Sequence, residues 1–213
     1  MIIPALLTLN KRIAKERIEW AKQMSGWIHL DFLDHTLYLF ESLQAQDYAG
    51  IDWGDLHLEA HAMTQQPLTL LESSLPIERV IVHYELNGWE NVYTSCIDSN
   101  RDCWVAIGPE TKVNELNLPA DLLGAVIMGV EPGQTGQAMI ANTYERLESF
   151  KDRFPDISVS VDGGVSADTL RLLVAHGADH LVIGSAIWHQ TNPVRAYEHY
   201  VQLAQPFGGM DDQ

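Results

Sequence analysis

Basic residues are scarce in this chain: 13 Lys plus Arg stand against 29 Asp plus Glu in 213 residues, a formal net charge of −16. So acidic a surface repels the phosphate backbone of a nucleic acid and an anionic membrane face, and neither is expected as a partner. Cysteine is nearly absent. Cys96 and Cys103 are too few for a disulfide framework, and ordinary thiols in a reducing compartment are expected. No apolar run reaches the ~18 residues of a membrane span. The start, Met1-Ile2-Ile3-Pro4, lacks a charged segment followed by a long apolar one. A cytoplasmic protein is the expectation.

Low-complexity segments and breaks in composition are also missing, which argues against a second domain. The chain is 46% apolar and 20% charged, ordinary for a folded protein. One domain over residues 1–207 is expected, followed by a loose tail at 208–213. Short apolar runs alternate with amphipathic segments nearly throughout, the pattern of a parallel sheet covered by helices. The runs predict strands at Ile2–Leu7, Trp27–Phe32, Asp55–His61, Arg79–His83, Cys103–Ile107, Ala125–Gly129, Ser158–Asp162 and His180–Gly184. Helical spacing is clear over Asn10–Met24, Asn142–Phe154 and Ser166–His176, with Asn10 and Ser166 as N-caps and Gly177 as a stop. Asn87–Ser95, which contains Gly88, is the weakest helix, and the run at Cys103 the weakest strand.

Three of the apolar runs end in side chains that bind metals: Trp27-Ile28-His29-Leu30-Asp31, Leu58-Glu59-Ala60-His61 and Val159-Ser160-Val161-Asp162-Gly163-Gly164. In a strand, residues i and i+2 face the same way, so His29 and Asp31 share a side. If the strands close into an α/β barrel of the TIM (β/α)8 kind, His61 and Asp162 join them at the rim where active sites sit. At 213 residues against the ~250 typical of that fold, its loops must be lean. Two imidazoles and two carboxylates suit one divalent ion such as Zn, Fe, Mn or Co. Two carboxylates facing each other across a substrate could also remove a proton from one face and return one to the other.

The glycines of Asp162-Gly163-Gly164 and Gly184-Ser185 let backbone N–H groups approach a phosphate, which explains how so acidic a chain takes an anionic ligand. Gly133 and Gly136 in Glu131-Pro132-Gly133-Gln134-Thr135-Gly136-Gln137 could hinge a loop over it. Met63 and Met128 could give an apolar lining, and of the other histidines only His83 is placed to support the site.

The ordered set Ile3-Pro4, His29-x-Asp31-x-x-Asp34, His61-x-Met63, Pro132-Gly133-x-x-Gly136-Gln137, Val161-Asp162-Gly163-Gly164-Val165 and Gly184-Ser185-Ala186-Ile187 resembles the ribulose-phosphate 3-epimerase family. The resemblance runs nearly the whole chain. It implies a TIM barrel of the ribulose-phosphate-binding type, a catalytic divalent metal on His29, Asp31, His61 and Asp162, and epimerisation at C3 of a ketopentose phosphate. Asp31 and Asp162 would be the proton carriers, and Gly163, Gly164, Gly184 and Ser185 the phosphate cradle. A phosphorylated ketose is thus the expected partner, in a homo-oligomer.

Some positions depart from the family. Ala5 stands where a Ser is usual, His35 to Phe40 replace the usual segment after Asp34, and Glu131, Gln134 and Thr135 alter the sixth-strand loop. Gly129 stands where Ser is common, and Glu131 would add negative charge near the substrate. A six-carbon ketose phosphate such as allulose 6-phosphate is the rival substrate, and a catalytically lapsed phosphosugar-binding barrel the rival class. No lysine falls at a strand end, which argues against Schiff-base chemistry.

Overall fold

The computed structural model describes residues 1–24, 26–133 and 136–205. Among them, eight parallel strands pair in sequence order and the last closes on the first. They are β1 (Ile2–Leu6), β2 (Trp27–Leu33), β3 (His57–Met63), β4 (Ile77–His83), β5 (Asp102–Ile107), β6 (Gly124–Met128), β7 (Ser158–Asp162) and β8 (His180–Ile183). The continuous apolar runs account for this: strands buried by helices outside and by side chains inside have no wet face. The expected 208–213 tail lies outside the described residues.

Among the described residues seven α-helices cover the barrel: α1 (Lys11–Ala21), α2 (Leu68–Leu71), α3 (Trp89–Asp98), α4 (Thr143–Arg153), α5 (Ala167–Ala175), α6 (Ser185–Trp188) and α7 (Pro193–Ala204). Asn10 caps α1, its side chain accepting from the amides of Arg12 and Ile13 at 3.0 and 3.2 Å. The Ser166 amide donates to Thr169 Oγ1 at 2.9 Å at the start of α5. Gly88 does not interrupt α3. It precedes the first turn with φ of +80°, which moves the helix two residues later than its sequence pattern suggests. The connections after β2, β3 and β5 shrink to short 3-10 turns or a single helical turn, and this economy lets a short chain complete the barrel.

Outward strand residues such as Ile28, Leu58, Val80 and Val159 pack against helix residues Ile18, Leu147, Phe150 and Leu173 in the main core. Each such fully buried side chain contributes about 1.5–3 kcal/mol. Inside the barrel, Ile81, Trp104, Ala106, Val126 and Met128 form one apolar group and Ile3, Ala5 and Val182 another. Trp27 packs against the second group, and much of the remaining interior is polar. His29, Asp31, Glu59, His61, Arg79, His83 and Ser160 are all buried there, an arrangement that costs free energy unless every charge finds a partner.

Candidate active site

Strand register assembles the site. On β2, His29 and Asp31 point inward, and Asp31 lies directly opposite His61 of β3. Asp162 ends β7, paired with Met128 on one side and Val182 on the other. His29 Nε2 lies 3.2 Å from both Asp31 Oδ1 and His61 Nδ1, and 3.7 Å from Asp162 Oδ2. His61 Nδ1 lies 3.2 Å from Asp31 Oδ1 and 3.3 Å from Asp162 Oδ2. Donors bound at roughly 2.0–2.2 Å to one divalent ion lie about 3–3.5 Å apart, so the four groups fit such an ion.

The electrostatics agree with the spacing. Burial opposes charge on His29, yet Asp31, Glu59 and Asp162 outweigh it and hold the imidazole pKa well above its usual value. Burial also opposes ionisation of Asp31, but His29 and His61 keep its carboxyl below the usual range. A cluster that draws protons onto buried imidazoles is one that attracts a cation.

Each histidine has its outer nitrogen held. His29 Nδ1 donates to Glu59 Oε1 at 2.7 Å, and Glu59 Oε2 accepts from Arg79 Nη1, also at 2.7 Å. His61 Nε2 lies 2.9 Å from His83 Nε2, and His83 Nδ1 is 3.0 Å from the Tyr38 hydroxyl and 3.4 Å from Glu85 Oε2. These contacts select the inward-facing atoms, Nε2 of His29 and Nδ1 of His61. His83 thus sits where the sequence suggested. Glu59, Arg79, Tyr38 and Glu85 were not singled out. For Glu59 a signal existed, since it shares a strand face with His61 two residues away.

A cavity of about 500 Å³ opens over this cluster. Asp31, Asp162, Gly163, Gly164, Gly184, Ser185, Gly133, Gly136, Met63 and Met128 all line it, so every residue expected at the rim from the sequence borders one space except the deeper His29 and His61. Gly163 and Gly164 have φ of +94° and +70°; a Cβ on the first would lie 2.3 Å from Val130 Cγ2 and one on the second 2.6 Å from Met139 Cα. Only glycine fits both places.

Arg17, reaching in from α1, also lines the cavity and lies 5.4 Å from the centre of the Trp188 ring. Glu131 is exposed and absent from the lining, but it stands between Val130 and Pro132, which do line the cavity, and its charge adds to burial and Glu85 in raising the Tyr38 pKa; its backbone carbonyl accepts from Gln137 Nε2 at 2.7 Å. Gly129 has a steric reason, since a Cβ there would lie 2.3 Å from the Gly163 carbonyl oxygen. Gln134 and Thr135 lie outside the described residues.

Residues 1–188 match the model of the ribulose-phosphate 3 epimerase family. The chain is 23% identical over 211 residues to the cytoplasmic isoform of ribulose-phosphate 3-epimerase from Oryza sativa subsp. japonica, covering 90% of this chain and 89% of that one. It is 31% identical over 180 residues to the ribulose-phosphate 3-epimerase of Chlamydia pneumoniae, covering 77% and 76%. Among solved structures, 3-hexulose-6-phosphate synthase from Salmonella typhimurium superposes with a TM-score of 0.70 at 15% identity, covering 95% of this chain and 97% of that one. Orotidine 5'-phosphate decarboxylase from Pyrococcus horikoshii superposes at 0.64 and 15% identity, covering 96% and 99%. Those two likenesses establish the barrel fold.

Proposed function

The chain belongs to the ribulose-phosphate 3-epimerase family, a family of isomerases, and from that premise we propose that it inverts C3 of a ketose phosphate, D-ribulose 5-phosphate to D-xylulose 5-phosphate foremost. The observation that carries the reading is the gathering of Asp31 and Asp162, from separated strands, around His29 and His61 at the floor of a glycine-lined cavity. His29, Asp31, His61 and Asp162 would hold one divalent ion, and a mixed nitrogen and oxygen set suits Zn, Fe, Mn or Co. When bound, the ion supplies Lewis acidity toward the negative charge that develops on the substrate oxygens.

One of Asp31 and Asp162 takes the C3 proton from its face of the sugar, and the other delivers a proton to the opposite face. The reverse reaction exchanges their roles. Backbone N–H groups at Gly163, Gly164, Gly184 and Ser185 receive the phosphate, and Arg17 adds the full positive charge that the cradle lacks. Met63 and Met128 keep water from the reacting carbons. Gly133 and Gly136 bracket the loop that covers the ligand.

The test is exchange of the C3 proton of ribulose 5-phosphate in deuterated water, followed by NMR with metal-loaded protein. Deuterium at C3 and xylulose 5-phosphate are expected, and Asp162→Asn should lower both by about 10²- to 10⁴-fold without shifting the melting temperature. Retained exchange in that variant would overturn the two-base assignment. Faster turnover of allulose 6-phosphate would point to the six-carbon substrate, for which the 500 Å³ cavity has room. Tight binding without any exchange would mark a phosphosugar-binding barrel.

A further inference from the structure

Below the four ligand groups the barrel holds a second, charged layer that lies outside the cavity lining. Glu59 and Arg79 are opposite one another on β3 and β4 and almost wholly inaccessible, at 1% and 7% exposure. Neither lines the cavity. The Arg79 guanidinium is stacked between two indoles, its carbon 4.3 Å from the centre of the Trp27 ring and 3.9 Å from that of Trp104. Trp104 can occupy that place because Gly124 faces it: a Cβ on Gly124 would lie 2.0 Å from Trp104 Cε2. Arg79 Nε has no hydrogen-bond partner among the described residues, so in-plane the guanidinium is tied to Glu59 through Nη1 while the rings hold its faces.

We propose that Arg79 is a positioning residue for the metal ligand His29, acting through Glu59 from the floor of the barrel. This rests on the reading that His29 holds a metal ion. A continuous chain of contacts runs from Trp104 and Trp27 to Arg79, from Arg79 Nη1 to Glu59 Oε2, and from Glu59 Oε1 to His29 Nδ1, each polar step 2.7 Å. A carboxylate behind a ligating imidazole fixes its ring and raises its basicity toward the ion. A third buried carboxylate beside Asp31 and Asp162 would, however, leave one negative charge beyond what a divalent ion neutralises. Arg79 supplies that missing charge. Its cage keeps the guanidinium in one rotamer, so Glu59 is held at a fixed angle and presents one oxygen upward to His29 and the other downward.

The experiment titrates metal-free protein with Co²⁺, reading affinity by competition with a chelator and ligand geometry from the visible absorption of the bound ion. Wild type, Arg79→Met, Glu59→Gln and the double variant Glu59→Gln/Arg79→Met are compared. The double variant leaves no unpaired buried charge and is the one chosen to keep the fold. Arg79→Met and Glu59→Gln should each weaken Co²⁺ binding by about 10- to 100-fold with an altered absorption band, and the double variant should be weakened to about the same extent as Glu59→Gln alone. A double variant that binds Co²⁺ with wild-type affinity and spectrum overturns the proposal while leaving the metal site standing. Wild-type protein that binds no Co²⁺ overturns the metal reading itself.

Discussion

Arg17 carries the one guanidinium in the cavity lining among the described residues, in a chain whose net charge is −16. It is half-buried, and its Nη1 reaches the Leu7 carbonyl at only 3.4 Å, so the group is not committed to a strong internal partner. Leu7, Ala5 and Gly184 meet on this side of the rim, where Trp188 Nε1 donates to the Ala5 carbonyl. If the proposed reaction takes place at C3, a phosphate seated on Gly184 and Ser185 would be bound equally in the ground and transition states. Arg17→Met should therefore raise KM by about tenfold and leave kcat within a factor of two. Steady-state kinetics on ribulose 5-phosphate checks this, and a fall in kcat at constant KM would place Arg17 elsewhere in the reaction. The sequence held a signal for this residue that was not used: a 3.6-residue period puts Lys11, Arg12 and Lys15 on the exposed side of α1 and Arg17 beside Ile13, Ala14 and Ala21 on the apolar side. Only the tertiary packing shows that this side brings Arg17 to the cavity. Arg79 was hidden, since a cation near the opening of an apolar strand reads as a solvated flank. His29, Asp31, His61 and Asp162 were legible because alternation on a strand fixes their face and the apolar runs fix their depth.

The loop joining β7 to α5 shows how an element serves the site. It leaves the strand at Asp162, takes two consecutive left-handed residues, and enters α5 at Ser166, all within the cavity lining. Successive left-handed residues can turn amide N–H groups toward an anion, and the missing side chains let Val130 and Met139, which line the same cavity, pack closely against the loop. Gly164→Ala should lower stability by about 1–3 kcal/mol and raise KM without a matching loss of exchange per bound substrate. Urea denaturation and single-turnover exchange separate the two effects. An alanine variant with unchanged stability would show that the loop relaxes freely. Strands were legible as elements because burial on both faces leaves continuous apolar runs, and the long helices because one-sided burial imposes a period of 3.6. The connections after β2, β3 and β5 were not, because a single turn is too short to carry a period. Gly88 misled in the same way, being a helix interruption by composition and a left-handed lead-in by position.

At the scale of the molecule, the proposed function asks a strongly negative protein to admit a dianionic substrate. The groups that would favour it are local: N–H dipoles at the ends of β7 and β8, and Arg17. The unfavourable field is global, set by an excess of 16 acidic over basic residues, and it extends for the Debye length, about 30 Å in 0.01 M salt and 10 Å in 0.1 M. A phosphate approaching the rim is therefore repelled until it is within a few ångströms of the cradle, and salt removes more of the repulsion than of the short-range attraction. kcat/KM for ribulose 5-phosphate should rise a few-fold between 10 and 100 mM ionic strength, about as expected for like-charged steering. This is the reverse of what a basic phosphate-binding surface would give. Measuring the profile in two salts with different anions controls for competition at the cradle, which would lower the apparent affinity. A profile that falls in both salts would mean that the field at the cavity mouth is positive, with Arg17 and the strand-end dipoles outweighing the rest of the molecule. In that case Arg17→Met should invert the slope, and the same two-salt series on that variant would show it.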